Sequence, residues 1–246
     1  MKVRPTFIIS FLKKIFKIKR KELITDKGTF YIDPISNFGT RLIMDNVYEP
    51  EMIKTIEEII SIDDSFFDLG ANEGYFSVLA AKIVGEKGLV YAVEPQSRLQ
   101  EIVKRNFKTN KIDNYRIIQK AISNKEGTVQ FSLAPDTNTG SSGIFNVQKY
   151  KNPKEVVEMT TLEKLFDNEK IKNIKLMKID IEGLEYEAIL GSQDLFKQNV
   201  IENIALELHP SIIEKRNNKV SDIIDFLSEA GYVINNKYPT LVYSKK

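Results

Sequence analysis

Residues 66–76 contain the pattern that most constrains how this chain folds. A short apolar run ends in an acid, Asp68, and two glycines, Gly70 and Gly74, then bracket Asn72 before an amphipathic stretch. Glycine permits backbone angles and a close approach that a Cβ atom prevents, and the start of a helix offers free N–H groups to a ligand. The order of strand, tight turn and helix predicts a site for a nucleotide-like cofactor, with Asp68 accepting hydrogen bonds from it. A turn that holds no ligand is the alternative.

After this turn, strands and helices alternate. We predict core strands at residues 66–69, 89–93, 115–122, 174–181 and 201–208, and helices at residues 75–84, 99–110 and 220–230. These strands carry few charges, which is typical of a parallel sheet that helices cover on both faces. Two last short strands, at residues 232–234 and 241–244, are predicted to be antiparallel neighbours. The chain is therefore expected to be an α/β protein.

The predicted organisation has three parts. Residues 1–21 form a basic amphipathic N-terminal segment, and residues 22–62 form a hairpin and a helix that pack on the core. Residues 63–246 form the domain that carries the sheet and binds the cofactor.

Two stretches lie outside the alternating region. Residues 22–47 predict strand and turn, as a hairpin with Gly28 in its turn, and the helix that follows is expected to begin near Pro50. Residues 135–155 are polar and predict either a surface loop or a flexible lid over the site.

The first 21 residues are strongly basic. Eight basic residues precede the first acid, Glu22, and apolar residues at positions 8, 11, 12, 15 and 18 share one face of a helix. A basic amphipathic helix can lie on an anionic membrane surface, or it can pack on the domain with its lysines in water. We expect a cytoplasmic protein, and the first interpretation adds peripheral contact with the inner face of the membrane.

The composition excludes several kinds of chemistry. The absence of cysteine removes disulfides, thiolate metal sites and cysteine nucleophiles. The single histidine, His209, cannot build a histidine metal site within one chain, and no metal site is predicted. The net charge is only +2, so no nucleic-acid partner is expected. No apolar run approaches the roughly 18 residues of a membrane-spanning helix. The oligomeric state is left open.

Glu94 supports a cofactor site at the glycine turn. It ends the second core strand about 20 residues beyond the turn, where a dinucleotide site places the acid that holds ribose hydroxyls. A dinucleotide fingerprint is G-x-G-x-x-G, but here Asn72 stands in the place of the middle glycine. An acid in the turn, Asp68, suits a cofactor that carries an ammonium group and no phosphate. This favours S-adenosylmethionine over a nicotinamide dinucleotide.

Three segments together resemble the FkbM family of S-adenosylmethionine-dependent methyltransferases. The segments are residues 68–77 with Gly-Ala-Asn, residues 90–95, and residues 178–183 with Lys-Ile-Asp-Ile-Glu-Gly; Thr161-Leu162 and Glu207-Leu208-His209 fit the same pattern. The resemblance covers about residues 45–235 and excludes residues 1–21. It implies a class I methyltransferase (Rossmann-like) fold with a mostly parallel seven-stranded sheet, helices on both faces and a short N-terminal extension. It also implies, usually, O-methylation of sugars, polysaccharide precursors or natural products.

The resemblance assigns residues to the cofactor. Asp68, Gly70, Asn72 and Gly74 would hold its methionine part, Glu94 its ribose, and the backbone around Ala121 its adenine. Asp180 would lie near the transferable methyl group.

A second group of polar residues is expected at the same edge of the sheet. Lys178 and Asp180 share one side of the fourth core strand, and Glu207 and His209 share one side of the fifth. A buried lysine needs a partner, and Asp180 or Glu207 is the natural one. His209 has the unperturbed pKa of a general base.

Other roles for these residues stay open. Asp180, Glu182 or Glu207 could serve as the base instead of His209, and each of the four could have a purely structural role. A divalent ion on Asp180 and Glu207 is the less favoured alternative.

The sequence thus predicts an S-adenosylmethionine-dependent O-methyltransferase acting on a sugar, a polysaccharide precursor or another small hydroxylated acceptor. Three alternatives remain: a methyltransferase-fold protein that acts on RNA, an NAD-dependent oxidoreductase, and a non-catalytic S-adenosylmethionine-binding protein. Methyl transfer, NADH affinity and cofactor binding without transfer distinguish them.

Overall fold

The computed structural model describes residue 13 and residues 15–145 and 152–246 of the 246-residue chain. Its strands are β1 (Lys21–Thr25), β2 (Gly28–Ile32), β3 (Ser65–Leu69), β4 (Leu89–Val93), β5 (Tyr115–Ile118), β6 (Ala121–Ile122), β7 (Gly127–Ser132), β8 (Lys154–Thr160), β9 (Ile174–Ile179), β10 (Ile201–Leu206), β11 (Tyr232–Ile234) and β12 (Val242–Lys245). Its α-helices are α1 (Asn37–Asp45), α2 (Pro50–Ile59), α3 (Tyr75–Val84), α4 (Ser97–Thr109), α5 (Leu162–Glu169), α6 (Glu185–Leu190), α7 (Gln193–Lys197), α8 (Pro210–Ile213) and α9 (Val220–Glu229). Asp136–Ser141 and Glu214–Arg216 are 3-10 helices.

The centre of the fold is a seven-stranded sheet with the spatial order β11-β12-β10-β9-β3-β4-β5. Strands β10, β9, β3, β4 and β5 are parallel neighbours, and β12 is antiparallel to both β10 and β11. The predicted mostly parallel α/β sheet is confirmed, and so is the antiparallel pairing of the last two strands.

Helices and loops bury both faces of this sheet. Consecutive side chains of a strand point to opposite faces, so Phe66 and Phe67 of β3 belong to different hydrophobic clusters. Phe67 packs with Met177 and Phe166 on one face. On the other face, the cluster of Phe66 also contains Ile56 of α2. The elements between β1 and α2 therefore pack directly on the sheet.

The third core strand is shorter than predicted. The predicted strand covered residues 115–122, but β5 ends at Ile118, and Ala121 belongs to β6 in a separate three-stranded sheet of order β6-β8-β7. The backbone N–H of Glu94 donates to the carbonyl of Ile118. The next N–H group of this strand that could face β5 is that of Gln96, and it donates to the side chain of Glu94 instead, so the ladder between β4 and β5 ends at this point.

Helix α1 was not predicted, because residues 22–47 were assigned to strand and turn. The side chain of Ser36 caps it by accepting a hydrogen bond from the N–H of Gly39 at 2.9 Å. Gly39 in the first turn weakens the helical pattern. The fold requires this glycine, since a Cβ atom there would lie 2.0 Å from the carbonyl oxygen of Asp33.

The described part of the N-terminal segment is attached to the domain by ion pairs of Lys13 and Arg20. Lys13 pairs with the buried Asp33. Arg20 makes a two-pronged pair with Glu73, at 2.7 Å and 3.0 Å, although Glu73 is only 1% exposed. Glu73 lies within the glycine turn, so the N-terminal segment supports that turn from outside.

The rest of the predicted amphipathic segment, residues 1–12 and 14, lies outside the described residues. Within the described part, Ile15 and Phe16 are exposed. Among the described residues, no helix combines the length and the apolar character needed to cross a bilayer.

Replacing Arg20 by alanine is expected to destabilise the protein by about 3 kcal/mol, since it leaves the carboxylate of Glu73 buried without its partner. Urea unfolding would measure the free energy of unfolding. Lys54→Ala is the control, because Lys54 pairs with Glu58 at the surface and exposed pairs contribute only about 0–1 kcal/mol. The double variant Arg20→Met/Glu73→Met should recover most of the loss. Equal, small losses for Arg20→Ala and Lys54→Ala would contradict the structural role of the buried pair.

Candidate active site

A cavity opens where β3, β4, β9 and β10 end. Its wall includes seven of the residues predicted from sequence: Gly70, Asn72, Glu94, Ala121, Asp180, Glu182 and Glu207. Parallel strands bring their carboxyl ends to one edge of the sheet, so residues far apart in the chain meet there. One cavity thus joins the residues predicted for the cofactor and those predicted for proton transfer.

Asp68, by contrast, is fully buried and is not part of the cavity wall. Ser77 donates to its carboxylate at 2.6 Å, and the ammonium of Lys178 lies 3.6 Å away. The register of β3 against β9 places Asp68 directly beside Lys178. Burial raises the pKa of Asp68, while Lys178 and Ser77 oppose that rise. Asp68 therefore pairs with Lys178 behind the cavity wall, and its role toward the cofactor stays a prediction.

The glycine turn approaches β9 closely. Gly70 has φ +88°, and a Cβ atom there would lie 1.8 Å from the carbonyl oxygen of Asp180. Asn72, with φ +48°, is also left-handed, a region that asparagine tolerates better than most residues. Gly74 caps α3 and lies outside the cavity wall. The turn therefore needs glycine at position 70 so that the two strand ends can meet.

Glu94 is a buried carboxylate on the cavity wall. It accepts hydrogen bonds from the backbone N–H groups of Asn72 and Gln96, each at 2.9 Å. Burial raises the pKa of Glu94 to about 7, although these bonds lower it. A carboxylate has further lone pairs for hydroxyl donors, so Glu94 fits the ribose of a nucleoside.

The polar loop after β7 covers the glycine turn. Thr139 donates to the side-chain oxygen of Asn72 at 2.9 Å. Gln96 donates to the carbonyl of Thr139 at 3.3 Å and accepts from the hydroxyl of Ser142 at 3.0 Å. Asn138 is part of the cavity wall as well. Of the two predictions for this stretch, the described residues fit a cover over the site.

Sequence reasoning missed several wall residues. Gln96 follows Glu94 and Pro95 directly, so its position was a usable signal. Tyr48 and Glu49 gave none, because they precede the sheet in the chain and reach the cavity only through the packing of α2. Glu49 has φ +45° at the start of that helix.

Lys178 pairs with Asp68 and Asp180 rather than with Glu207. Its ammonium lies 3.3 Å from the carboxylate of Asp180, and its side chain is only 2% exposed. Burial lowers the pKa of Lys178, but the carboxylates of Asp180 and Asp68 outweigh that effect and raise it. Lys178 stays charged, and it fixes the position of Asp180.

His209 lies behind the acidic wall and is not part of the cavity wall. Its Nδ1 atom is 3.0 Å from Glu185, and its Nε2 atom faces Asp180 and Glu182. Burial lowers the pKa of His209, but the bond to Glu185 and the three nearby carboxylates raise it to about 9. This value lies above the unperturbed pKa on which the prediction of His209 as a general base relied. At neutral pH it is already protonated and accepts no proton.

Fold and site together define a class I methyltransferase. The sequence profile of the Methyltransferase FkbM domain family matches residues 68–234. Methyltransferase 1 of Beauveria bassiana (strain ARSEF 2860) is 22% identical over 204 residues, which are 75% of this chain and 80% of that protein.

A probable cobalt-precorrin-6B C(15)-methyltransferase of Sulfolobus acidocaldarius is 43% identical, but over only 54 residues, 22% of this chain and 28% of that protein. The solved structure of M. jannaschii TYW2 in complex with AdoMet is 16% identical, covers 92% of this chain and 85% of that one, and has a TM-score of 0.46.

The profile match covers more than half of the chain, so the chain belongs to the FkbM methyltransferase family. The predicted family, fold class and cofactor are confirmed: the protein is an S-adenosylmethionine-dependent methyltransferase. The alternative of an NAD-dependent oxidoreductase was wrong. The roles of the individual site residues stay predictions.

The affinity for S-adenosylmethionine is expected to fall as the pH drops below about 7. The ionised carboxylate of Glu94 accepts hydroxyl hydrogen bonds with both oxygens, and its pKa of about 7 means that it takes up a proton below that pH. Calorimetric titrations from pH 5.5 to 8.5 would measure the dissociation constant. Glu94→Gln should bind more weakly at high pH and show a flatter profile. The same pH profile for both proteins would contradict the role of Glu94.

Proposed function

We propose that this protein transfers a methyl group from S-adenosylmethionine to a hydroxyl group of a sugar, a polysaccharide precursor or another small hydroxylated acceptor. One observation carries the proposal: a single cavity has Gly70, Asn72 and Glu94 on one side and the carboxylates of Asp180, Glu182 and Glu207 on the other. The methyl donor and the groups that handle a proton would thus meet in one space.

Bound S-adenosylmethionine supplies a methyl group that its positively charged sulfur already activates. The chain must then align the acceptor hydroxyl and remove its proton. Glu207 is the proposed base. It lies on the cavity wall, and its carboxylate has no hydrogen-bond partner in the described part of the chain. Asp180 is already paired with Lys178, and His209 is protonated. Both are therefore less able than Glu207 to accept a proton.

The charge of the wall supports a small hydroxylated acceptor over RNA. Glu49, Asp180, Glu182 and Glu207 all line the cavity, and this negative charge repels phosphate groups. The sequence after β9 also lacks the Asn/Asp-Pro-Pro-aromatic run that usually accompanies amino methylation of bases. Sugar hydroxyls, in contrast, donate well to carboxylates.

The test combines cofactor binding with methyl transfer. The wild-type protein should bind S-adenosylmethionine in a calorimeter and add one methyl group to a member of a panel of sugars, nucleotide sugars and glycan precursors, detected by mass spectrometry. Glu207→Gln should keep the cofactor affinity and slow transfer by about 10²–10⁴-fold, the range for loss of a general base. Glu202→Gln, which removes a half-buried carboxylate of β10 that pairs with Lys175 outside the cavity wall, is the matched control and should behave as wild type.

Three results would overturn the proposal. If the protein does not bind S-adenosylmethionine at millimolar concentration, the cavity is not a cofactor site. Binding without transfer to any acceptor would favour a non-catalytic S-adenosylmethionine-binding protein, and transfer to RNA alone would favour the RNA alternative.

Peripheral membrane contact through residues 1–21 is a separate proposal. Its basis is the basic amphipathic pattern of that segment together with the exposed Ile15 and Phe16. In the full-length protein, Lys17→Glu/Lys19→Glu should reduce co-sedimentation with vesicles that contain anionic lipids, because juxtamembrane lysines each contribute about 1 kcal/mol. Neutral vesicles are the control. Equal sedimentation of both proteins with anionic vesicles would exclude this contact.

A further inference from the structure

Asp180, Glu182 and His209 point their polar atoms at one another across a small space. One ligand atom from each lies within 4.8 Å of the others. The Nε2 atom of His209 is 4.0 Å from Asp180 and 3.8 Å from Glu182. These distances exceed those of hydrogen bonds. Atoms that bind one ion at about 2.1 Å lie about 3–4 Å apart, so a small contraction would place all three around a cation.

Glu185 orients the histidine of this cluster. It is fully buried, and its Oε1 atom is 3.0 Å from Nδ1 of His209. With Nδ1 held in this way, Nε2 is the ring nitrogen that faces the two carboxylates. Carboxylates commonly hold metal-binding histidines in the same way.

The other oxygen of Glu185 is a second and independent sign. In the described part of the chain, Oε2 is buried without a hydrogen-bond partner. Burying a carboxylate is costly unless positive charge or donors compensate it. Together with Asp180 and Glu182, Glu185 places three carboxylates around the single imidazole of His209, and Lys178 already pairs with Asp68 and Asp180.

The backbone is built to hold Glu182 in this position. Glu182 has φ +53°, an unusual angle for a residue with a side chain. Glu185 accepts hydrogen bonds from the N–H groups of Ile181 and Gly183, the two residues that flank Glu182. A Cβ atom on Gly183 would lie 2.3 Å from the side chain of Ile212. These contacts define the turn after β9, in which the carboxylate of Glu182 lies 3.8 Å from Nε2 of His209.

We propose that Asp180, Glu182 and His209 bind a divalent metal ion beside the acceptor end of the cavity. Two carboxylate oxygens and one imidazole nitrogen suit Mn²⁺ or a similar first-row ion, and three protein ligands leave coordination positions open. Asp180 and Glu182 both line the cavity, so the open positions face the acceptor. The ion would displace the proton from Nε2, so that His209 is then a ligand rather than a base.

The metal ion would assist the proposed methyl transfer, and this role rests on the proposed function. An acceptor hydroxyl bound to the ion loses its proton more easily, and the carboxylate of Glu207 takes that proton. The acceptor oxygen then forms its bond to the methyl carbon while the carbon–sulfur bond breaks, and the electron pair of that bond stays on sulfur. The substrate class narrows to acceptors with a hydroxyl that can reach the ion.

Electron paramagnetic resonance titration with Mn²⁺ alone tests the site. Full-length wild-type protein, first treated with a chelator, should bind one Mn²⁺ per chain. Glu182→Gln and His209→Ala should each weaken binding at least tenfold. Asp194→Asn, which removes an exposed surface carboxylate, is the control and should bind as wild type. Circular dichroism and S-adenosylmethionine binding would show that the variants are folded.

The single histidine offers a second readout. Because His209 is the only histidine in the chain, its imidazole resonances are unambiguous. Substoichiometric Mn²⁺ should broaden them in the wild-type protein, and Mg²⁺ or Zn²⁺ should compete according to affinity. Unchanged His209 resonances at millimolar Mn²⁺, or equal Mn²⁺ binding by wild type, Glu182→Gln and His209→Ala, would overturn the metal site. If the wild-type protein binds S-adenosylmethionine but not Mn²⁺, only the metal site is refuted. If the wild-type protein does not bind S-adenosylmethionine, the proposed function is refuted.

Discussion

The approach of Gly70 to the backbone of Asp180 is the constraint on which the site depends. It lets the turn after β3 and the end of β9 lie in van der Waals contact, because no Cβ atom separates them. The glycine turn and the acidic side of the cavity are therefore adjacent. Any other residue at position 70 would push the two sides apart.

Buried charges hold this arrangement in place. Lys178 lies between Asp68 of β3 and Asp180 at the end of β9, and so ties the two strands together electrostatically. On the outside of the turn, Arg20 neutralises Glu73. Asp68, the acid of the glycine motif, thus pairs with Lys178 inside the protein, whereas Glu94 lies on the cavity wall.

Much of the fold was predictable because the local sequence patterns of strands and helices agree with their places in the central sheet and around it. Helix α3 and strands β4 and β11 have the predicted bounds. The failures have physical causes. Helix α1 contains a glycine that the fold requires, and β5 ends early because the N–H of Gln96 donates to the side chain of Glu94 and not to the neighbouring strand.

By itself, the sequence determined the family, the cofactor class and the edge of the sheet where polar residues collect, since motif spacing and strand polarity are local properties. Only the tertiary structure decided what each polar residue does. Asp68 became internal because strand register set it against Lys178. His209 became a cation because three carboxylates from the turn after β9 and from α6 surround it. Such pairings depend on distances across strands, which no pattern along one chain records.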